Sequence, residues 1–275
     1  MSFHILHYRL KKLKRAFLIW ITLISLLVNL WLDNTRFTIF QTNYNKKNKI
    51  QIKRARWFTN QLIKLGSAFI KIGQLLSARP DLIPNTWIQE LSKLQDRVPN
   101  FAFKQVEETI RKELGTKFGE IDQIISDPIG SASLAQVHRA TLRDGKKVVF
   151  KVQRPNLKEL FIIDLGIMQQ IAGLLQKNKN WSRGRNWVEI AKECRKVLMK
   201  ELDFNCEAQY AARFRQQFLD DANIEVPEVI WDMSSEKVLC LSYLEGTKIS
   251  DLEKLASQKI DLRKIAEIGA ISYLK

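Results

Sequence analysis

The sequence predicts an α+β fold, in which a small antiparallel sheet packs against long helices. Three short segments rich in apolar and β-branched residues, 121–125, 134–142 and 147–153, follow one another with turn signals between them, as the strands of a hairpin-built sheet do. Longer segments on both sides, 54–78 and 187–218, place apolar residues at three- and four-residue spacing, which is typical of amphipathic helices.

The composition is that of a globular protein with a basic amino-terminal segment. The 275 residues are 45% hydrophobic and carry a formal net charge of +16. Residues 1–60 contain 12 Lys and Arg residues and a single acid, Asp33. A basic segment beside an apolar run favours an anionic membrane surface over nucleic acid, because membranes attract such segments by about 1 kcal/mol per cation. The three cysteines lack disulfide or metal-ligand spacing, which favours a reducing compartment.

Residues 16–32 form an uncharged apolar run with a tryptophan near each end. As a helix this run would extend about 25 Å, somewhat less than a hydrocarbon core of about 30 Å. Two interpretations stay open. The first is a marginal membrane-spanning helix, with its amino terminus held on the cytoplasmic or stromal side by the basic residues at 11–15. The second is an interfacial or buried helix that packs on the domain. Polar residues 33–53 are predicted to form a linker, so that 1–53 comprises a basic arm, a membrane-associating segment and a linker.

Residues 54–118 are predicted to form a helical extension in front of the sheet. Its first helix occupies 54–78 and ends before Pro80. A further helical stretch, 85–114, is closed by Gly115.

Lys71 and Gln74 lie three residues apart in the first helix and therefore face the same side. The spacing alone favours a polar stripe that faces solvent.

The most informative segment is the predicted strand 147–153. Because side chains alternate along a strand, Val149 and Lys151 share one face, while Val148, Phe150 and Val152 can enter the core. A lysine on a rigid strand can neutralise nucleotide phosphates, and Val149 can line an adenine pocket. A solvent-facing lysine on an ordinary hairpin explains the segment equally well.

A loop of small residues precedes the strand that pairs with this segment. In nucleotide-binding kinases, the corresponding loop brings backbone N–H groups close to the phosphates. The loop residues are Gly130, Ser131, Ala132 and Ser133.

Three carboxylates lie within the helical pattern 187–218. On one continuous helix Asp203 and Glu207 share a face, whereas Glu201 lies about 160° from Asp203, so Glu201 and Asp203 cannot both aim at one point. Taken alone, the three acids fit a solvated helix face balanced by neighbouring lysines and arginines.

A second hairpin, 226–231 with 237–243, is predicted to complete the sheet, followed by a hinge at 244–246. The sheet unit would then comprise residues 119–246.

Four sequence blocks, taken together, resemble the UbiB family of atypical kinases, AarF-domain-containing proteins linked to isoprenoid-quinone metabolism. The resemblance covers residues 50–275. The blocks are K-x-G-Q at 71–74, A-S-x-A-Q-V-H-R-A at 132–140, V-x-x-K-V-Q-R-P at 148–155 and E-x-D at 201–203.

The resemblance implies a protein-kinase-like amino-terminal lobe with a family-specific helical extension, and it assigns the site. Lys151 and Glu207 would form the catalytic ion pair, and the loop with Val149 and Lys151 would bind ATP or ADP, with adenine held by the backbone of 241–243. Gly130 and Ser131 stand where the family usually has alanine, which leaves the nucleotide preference open.

The resemblance also implies a regulatory helix that covers the cleft. This helix would carry Lys71 and Gln74, and Glu201 and Asp203 would meet Lys71 or a metal. Such a cover would obstruct a large protein substrate and would favour a small or lipid substrate.

Residues 247–275 are expected to be the start of a truncated second lobe. The only histidines are His4, His7 and His138, and no asparagine follows Asn223. The catalytic aspartate loop and its metal-binding asparagine are therefore missing, and Mg²⁺ is expected only if a partner polypeptide supplies a second lobe. No metal ligand is predicted in the chain itself.

Two functional hypotheses follow. The first is the amino-terminal part of a membrane-associated UbiB-like kinase or ATPase of ubiquinone or plastoquinone metabolism. Its expected partners are membrane lipids or quinone precursors and a carboxy-terminal polypeptide, and no role for nucleic acid is expected. The second is a non-catalytic remnant or membrane scaffold that binds lipid or a partner.

Overall fold

The amino-terminal part of the computed structural model is helical. The model describes residues 2–39, 44–95, 100–178, 182 and 184–274. The helices before the sheet are α1 (Ser2–Ile39), α2 (Tyr44–Leu65), α3 (Ser67–Ser77), α4 (Asn85–Leu91) with a 3-10 turn at Ser92–Gln95, and α5 (Phe103–Leu114).

A five-stranded antiparallel sheet follows, with strand order β1-β3-β4-β5 and β2 paired to β3. Together with the helices it confirms the predicted α+β class. Among the described residues, three helices lie between β4 and β5, and two follow the sheet. The elements are β1 (Ile121–Ile124), β2 (Gly130–Ser131), β3 (Ala135–Leu142), β4 (Lys147–Gln153), α6 (Leu157–Lys177), α7 (Trp187–Lys200), α8 (Phe204–Gln217), β5 (Val238–Ser242), α9 (Leu252–Ser257) and α10 (Leu262–Leu274).

The two faces of the sheet have different coverings, as the alternation along β4 predicts. Val148, Phe150 and Val152 are fully buried in one hydrophobic cluster with Val106 and Ile110 of α5. The opposite face belongs to a second cluster, which contains Ala135, Phe204, Ala208, Val229 and Leu239. Lys151 therefore lies on the α8 side of the sheet.

The predicted helix 54–78 is interrupted at Gly66, where α2 ends and α3 begins. Gly66 has φ 91°, a conformation that favours glycine because a side chain there is strained. The apolar spacing continues across the interruption, since both helices contribute to one core with Leu62 and Phe69. The periodicity therefore gave no sign of the break.

The predicted linker at 33–53 is wrong. Helix α1 continues to Ile39 and α2 begins at Tyr44, while 40–43 lie outside the described residues. Asp33 is buried and pairs with Arg54 at 2.9 Å, which joins the two helices. A polar sequence indicates exposure to solvent but does not exclude a helix.

The predicted helix 187–218 consists of two helices with a corner at 201–203. The Asp203 carboxylate accepts a hydrogen bond from the Asn205 N–H at 2.9 Å and caps α8. The Gln153 side chain donates to the Leu202 carbonyl at 2.7 Å. The expected 160° separation of Glu201 and Asp203 does not apply, because these residues do not lie on one continuous helix.

The second predicted hairpin is only partly formed. Residues 226–231 contact β5 through an isolated bridge between Val229 and Leu241 and do not form a strand. Pro227 has no N–H to donate, and a 3-10 turn begins at Trp231.

Helix α1 packs on the domain through one side. Ile19 is buried, and Arg15 pairs with Asp164 of α6 at 2.6 Å. Within the described residues one helical segment, Arg9–Thr35, has the length and the apolar composition needed to cross a membrane.

Candidate functional site

The centre of the candidate site is an ion pair between the sheet and α8. The Lys151 ammonium lies 2.5 and 2.7 Å from the two carboxylate oxygens of Glu207. Its Nζ is also 5.1 Å from the centre of the Phe204 ring. The side chains are 26% and 44% exposed, so the pair lies at a surface that a ligand can reach. The expected Lys151–Glu207 ion pair is present, while its catalytic role stays a prediction.

The small-residue loop beside this pair is held by Arg154. The Arg154 guanidinium donates to the Ala132 carbonyl at 3.1 Å and to Ser131 Oγ at 3.3 Å. Within the loop, the Ala132 N–H donates to the Ala135 carbonyl at 2.8 Å. Burial lowers the pKa of Arg154 from its ordinary value, although the group stays cationic at neutral pH. The arginine therefore fastens the loop to the end of β4.

The K-x-G-Q block faces two directions. The Lys71 ammonium of α3 lies 2.8 Å from Glu201 at the end of α7. Gln74 instead donates to the Leu94 carbonyl at 2.9 Å, away from the cleft. Gly73 packs so closely that a Cβ there would collide with Leu94 and Leu62. Lys71 therefore contacts the site, while Gly73 and Gln74 pack α3 against its neighbouring helices.

These groups surround a cleft of about 390 Å³. Among the residues that the structure describes, three lysines and three carboxylates line it, so their formal charges balance. The third lysine, Lys200, hydrogen-bonds the Tyr210 hydroxyl. The lining residues are Lys71, Ala132, Ser133, Leu134, Ala135, Lys151, Val197, Lys200, Glu201, Asp203, Phe204, Cys206, Glu207 and Tyr210.

Four predicted site residues lie outside the lining of this cleft. Gln74 supports α3, and Ser131 accepts the hydrogen bond from Arg154. Val149 is on β4 opposite Leu241, towards the predicted hinge. Gly130 pairs with Val137 in regular strand geometry, and a Cβ there would meet no atom within 4 Å. Gly130 therefore does not use the conformational freedom that suggested an altered loop.

The sequence reasoning missed three residues that shape the site. Gln153 holds the corner that carries Glu201 and Asp203, Arg154 holds the loop, and Phe204 lies beside Lys151. The first two belong to the Q-R-P end of the block at 148–155, in which the valines, the phenylalanine and the lysine have predicted positions but Gln153 and Arg154 have none. Phe204 directly follows Asp203, a residue type that commonly caps a helix, and this position is the feature of the sequence that could have identified it.

The cleft offers features that suit a nucleotide phosphate group. Lys71 and Lys151 both line the cleft, and so do Ala132 and Ser133 of the small-residue loop, whose backbone groups can bind phosphate oxygens. Among the described residues, no three His, Cys, Asp or Glu side chains lie close enough to hold a metal ion. A second cavity, of about 320 Å³ between α2 and α4, is lined by residues that include Arg56, Glu90 and Lys93, and by none of the predicted site residues.

The sheet, its flanking helix and the lysine–glutamate pair define a kinase-like lobe. The ABC1 atypical kinase-like domain matches residues 93–275. The chain belongs to this family of atypical kinase-like proteins, which confirms the family resemblance recognised from the sequence blocks.

Individual relatives agree with this assignment. The chain is 40% identical over 264 residues to Protein ACTIVITY OF BC1 COMPLEX KINASE 7, chloroplastic, of Arabidopsis thaliana, which covers 95% of this chain and 38% of that protein. It is 40% identical over 211 residues to a Probable protein kinase UbiB of Marinobacter nauticus, with 76% and 38% covered. A structure of Rv3197 from Mycobacterium tuberculosis in complex with erythromycin matches with 30% identity and a TM-score of 0.48, covering 68% of this chain and 46% of that one. The chain spans less than half the length of the curated relatives it matches.

Proposed function

We propose that this chain is the nucleotide-binding part of a UbiB-like atypical kinase or ATPase that serves isoprenoid-quinone lipid metabolism at a membrane. The observation that carries the proposal is the Lys151–Glu207 ion pair, which lies beside the small-residue loop in the 390 Å³ cleft. The quinone assignment rests on the relatives named UbiB and on the resemblance of the sequence blocks.

In this proposal the protein positions the phosphates of ATP or ADP. Glu207 holds the Lys151 ammonium in the cleft, and Arg154 holds the small-residue loop that lines the same cleft. Charge-assisted hydrogen bonds from Lys151 would then hold the phosphate oxygens. A Mg²⁺ ion bound with the nucleotide would neutralise further phosphate charge, and its remaining ligands would come from a second lobe.

The helix that covers the cleft restricts what else can enter. Lys71 on α3 and Glu201, which directly follows α7, form an ion pair at 2.8 Å and both line the cleft. A folded protein substrate would have to displace this contact, whereas a small molecule or the end of a lipid would not. The proposed substrate class is therefore a small or lipid-like molecule, such as a quinone precursor, supplied from a membrane on the cytoplasmic or stromal side.

Nucleotide binding is the direct test. A fluorescent ADP analogue should bind the full chain, and Lys151→Met should weaken binding by at least about tenfold. The matched control is Lys147→Met, because Lys147 lies on the same strand and is exposed. Equal affinity of wild type and Lys151→Met, with both proteins folded by circular dichroism, would overturn the assignment of the site.

A non-catalytic scaffold is the second candidate. One observation favours it: each lysine that lines the cleft already has a partner, so none offers a phosphate an unpaired cation. The partners are Glu201 for Lys71, Glu207 for Lys151 and the Tyr210 hydroxyl for Lys200. Such a protein would bind membranes without binding nucleotide. Saturable vesicle binding together with no detectable binding of the ADP analogue would favour the scaffold.

A further inference from the structure

We propose that α1 lies flat in the surface of an anionic bilayer and holds the domain against it, and that α1 does not cross the membrane. The inference deepens the membrane association in the proposed function and rests on that part alone. It is independent of whether the cleft binds nucleotide.

One face of α1 is an exposed apolar stripe. Phe17 and Trp31 are 66% and 65% exposed, although they are large and apolar. The stripe recurs at three- and four-residue spacing over about 31 Å of helix. An exposed apolar surface of this length marks an interaction site. Its members are Leu10, Leu13, Phe17, Ile21, Ile24, Val28 and Trp31.

The other face of α1 is fastened to the domain near both ends of this stripe. At the amino-terminal end, Arg15 donates to both carboxylate oxygens of Asp164 at 2.6 and 2.7 Å and also to the Leu65 carbonyl. At the carboxy-terminal end, Asp33 accepts from Arg54 of α2 at 2.9 and 3.1 Å. Asp164 is 1% exposed and Asp33 is 7% exposed.

These two attachments are incompatible with a membrane-spanning helix. Arg15 and Asp33 lie about 27 Å apart along the helix, which is close to the thickness of a hydrocarbon core. A spanning α1 would place them on opposite sides of the bilayer, so one buried aspartate would lose its arginine. Helix α2 cannot follow α1 into the bilayer, because it carries seven lysine and arginine residues and no acid.

The charge pattern indicates that the exposed apolar stripe of α1 binds an anionic lipid surface rather than a second copy of the chain. Arg9, Lys12 and Lys14 are exposed around the amino-terminal part of the stripe, and the sequence has no acid before Asp33. In a parallel pair of α1 helices these cations would repel one another. In an antiparallel pair they would meet Asp33, which Arg54 already neutralises. Anionic headgroups satisfy the cations, and Trp31 suits the interface between headgroups and acyl chains.

Vesicle binding tests the surface. The full chain should bind phosphatidylcholine vesicles that contain phosphatidylglycerol more tightly than pure phosphatidylcholine vesicles. The double variant Phe17→Glu/Ile24→Glu should weaken that binding by at least about tenfold. Leu219→Glu, which places the same charge on an exposed leucine after α8, should bind as wild type does. Unchanged binding by the double variant would overturn the proposal, as would self-association through α1 without vesicle binding.

Labelling from one side tests the orientation. Lys12→Cys and Asn34→Cys lie near the two ends of the stripe. A membrane-impermeant maleimide can be applied to sealed inside-out membrane vesicles from cells that express each variant. Peptide mass spectrometry separates these sites from the native cysteines. Both positions should react before detergent is added if α1 lies in the surface. Protection of either one until detergent is added would show a spanning helix, while ADP binding by the same protein would remain a separate result.

Discussion

Lys71 and Glu201 join the helical extension to the helix that ends beside the cleft, with the lysine Nζ 2.8 Å from Glu201 Oε2. The contact is possible because α3 lies directly against α2 and the 3-10 turn that follows α4, with Gly73 at the closest approach. A motif of four residues thus combines a contact to the site with the packing that positions it.

Gly73→Ala should destabilise the protein, because the added Cβ would collide with Leu94 and Leu62 in the core of the extension. Overpacking of this kind typically costs about 1–3 kcal/mol. Thermal and urea unfolding would measure the loss. Gly166→Ala on α6 is the control, since its Cβ would meet no atom within 4 Å and alanine favours a helix by about 1 kcal/mol over glycine. Equal stability of the Gly73→Ala variant and wild type would contradict the packing role.

Lys71→Ala should weaken nucleotide binding more than it affects stability. The substitution would leave Glu201 and Asp203 in the cleft without the cation that balances them, and both would repel phosphates. A partly exposed ion pair contributes only up to about 1 kcal/mol to stability, so the melting temperature should change little. Titration with the ADP analogue should show at least about fivefold weaker binding. Lys64→Ala at the exposed end of α2 serves as the control, and comparable affinities of the two variants would exclude the proposed contribution of Lys71.

Arg154→Met should release the small-residue loop. It would remove the hydrogen bonds to the Ala132 carbonyl and Ser131 Oγ, and each lost bond to a charged group costs about 1.5–3 kcal/mol. Hydrogen exchange at 130–135 should become faster, and nucleotide affinity should fall. Arg143→Met, in the exposed turn after β3, should change neither. Unaltered hydrogen exchange in the Arg154 variant would show that the loop keeps its conformation without this side chain.

Stability should fall at alkaline pH because of Cys240. Burial raises the pKa of its thiol from an ordinary value near 9 to about 12. The unfolded chain therefore loses this proton at a lower pH than the folded chain, so the free energy of unfolding decreases as pH rises from about 9 to 12. Chemical unfolding at several pH values should show a smaller decrease for Cys240→Ala. Identical slopes for both proteins would mean that other groups cause the effect.

A polypeptide of these 275 residues should bind nucleotide without hydrolysing it. Neither a histidine after His138 nor an asparagine after Asn223 is available for a catalytic loop that positions a nucleophile and a second metal ion. Phosphate release assays with purified protein should give the background rate. Turnover that disappears in Lys151→Ala would show that the chain already contains a catalytic centre.

Four of the strands could be predicted from the sequence and the ion pair from the family resemblance, whereas the strand expected at 226–231 and the helix boundaries were wrong. Alternation along 147–153 placed Lys151 on one face and Val148, Phe150 and Val152 in the core, because a pleated strand has only two faces. The break at Gly66 left the apolar spacing intact, since α2 and α3 pack on the same core. At 201–203 the spacing also continues, although α7 packs on that core through Leu198 and α8 packs against the sheet through Phe204 and Ala208. Asp203 is of a residue type that commonly caps helices, but the apolar spacing that continues across it predicts one helix.

The equal number of lysines and carboxylates around the cleft has a kinetic consequence. A site with a strong field of one sign accelerates the arrival of an oppositely charged ligand, and salt then slows it. A cleft whose charges cancel exerts little pull on a distant nucleotide, even in a protein as basic as this one. The nucleotide would then associate at the ordinary diffusional rate, with weak dependence on ionic strength. Selectivity between ligands would come from the dissociation rate, that is, from how long a nucleotide remains bound once its phosphates have replaced a carboxylate beside a lysine.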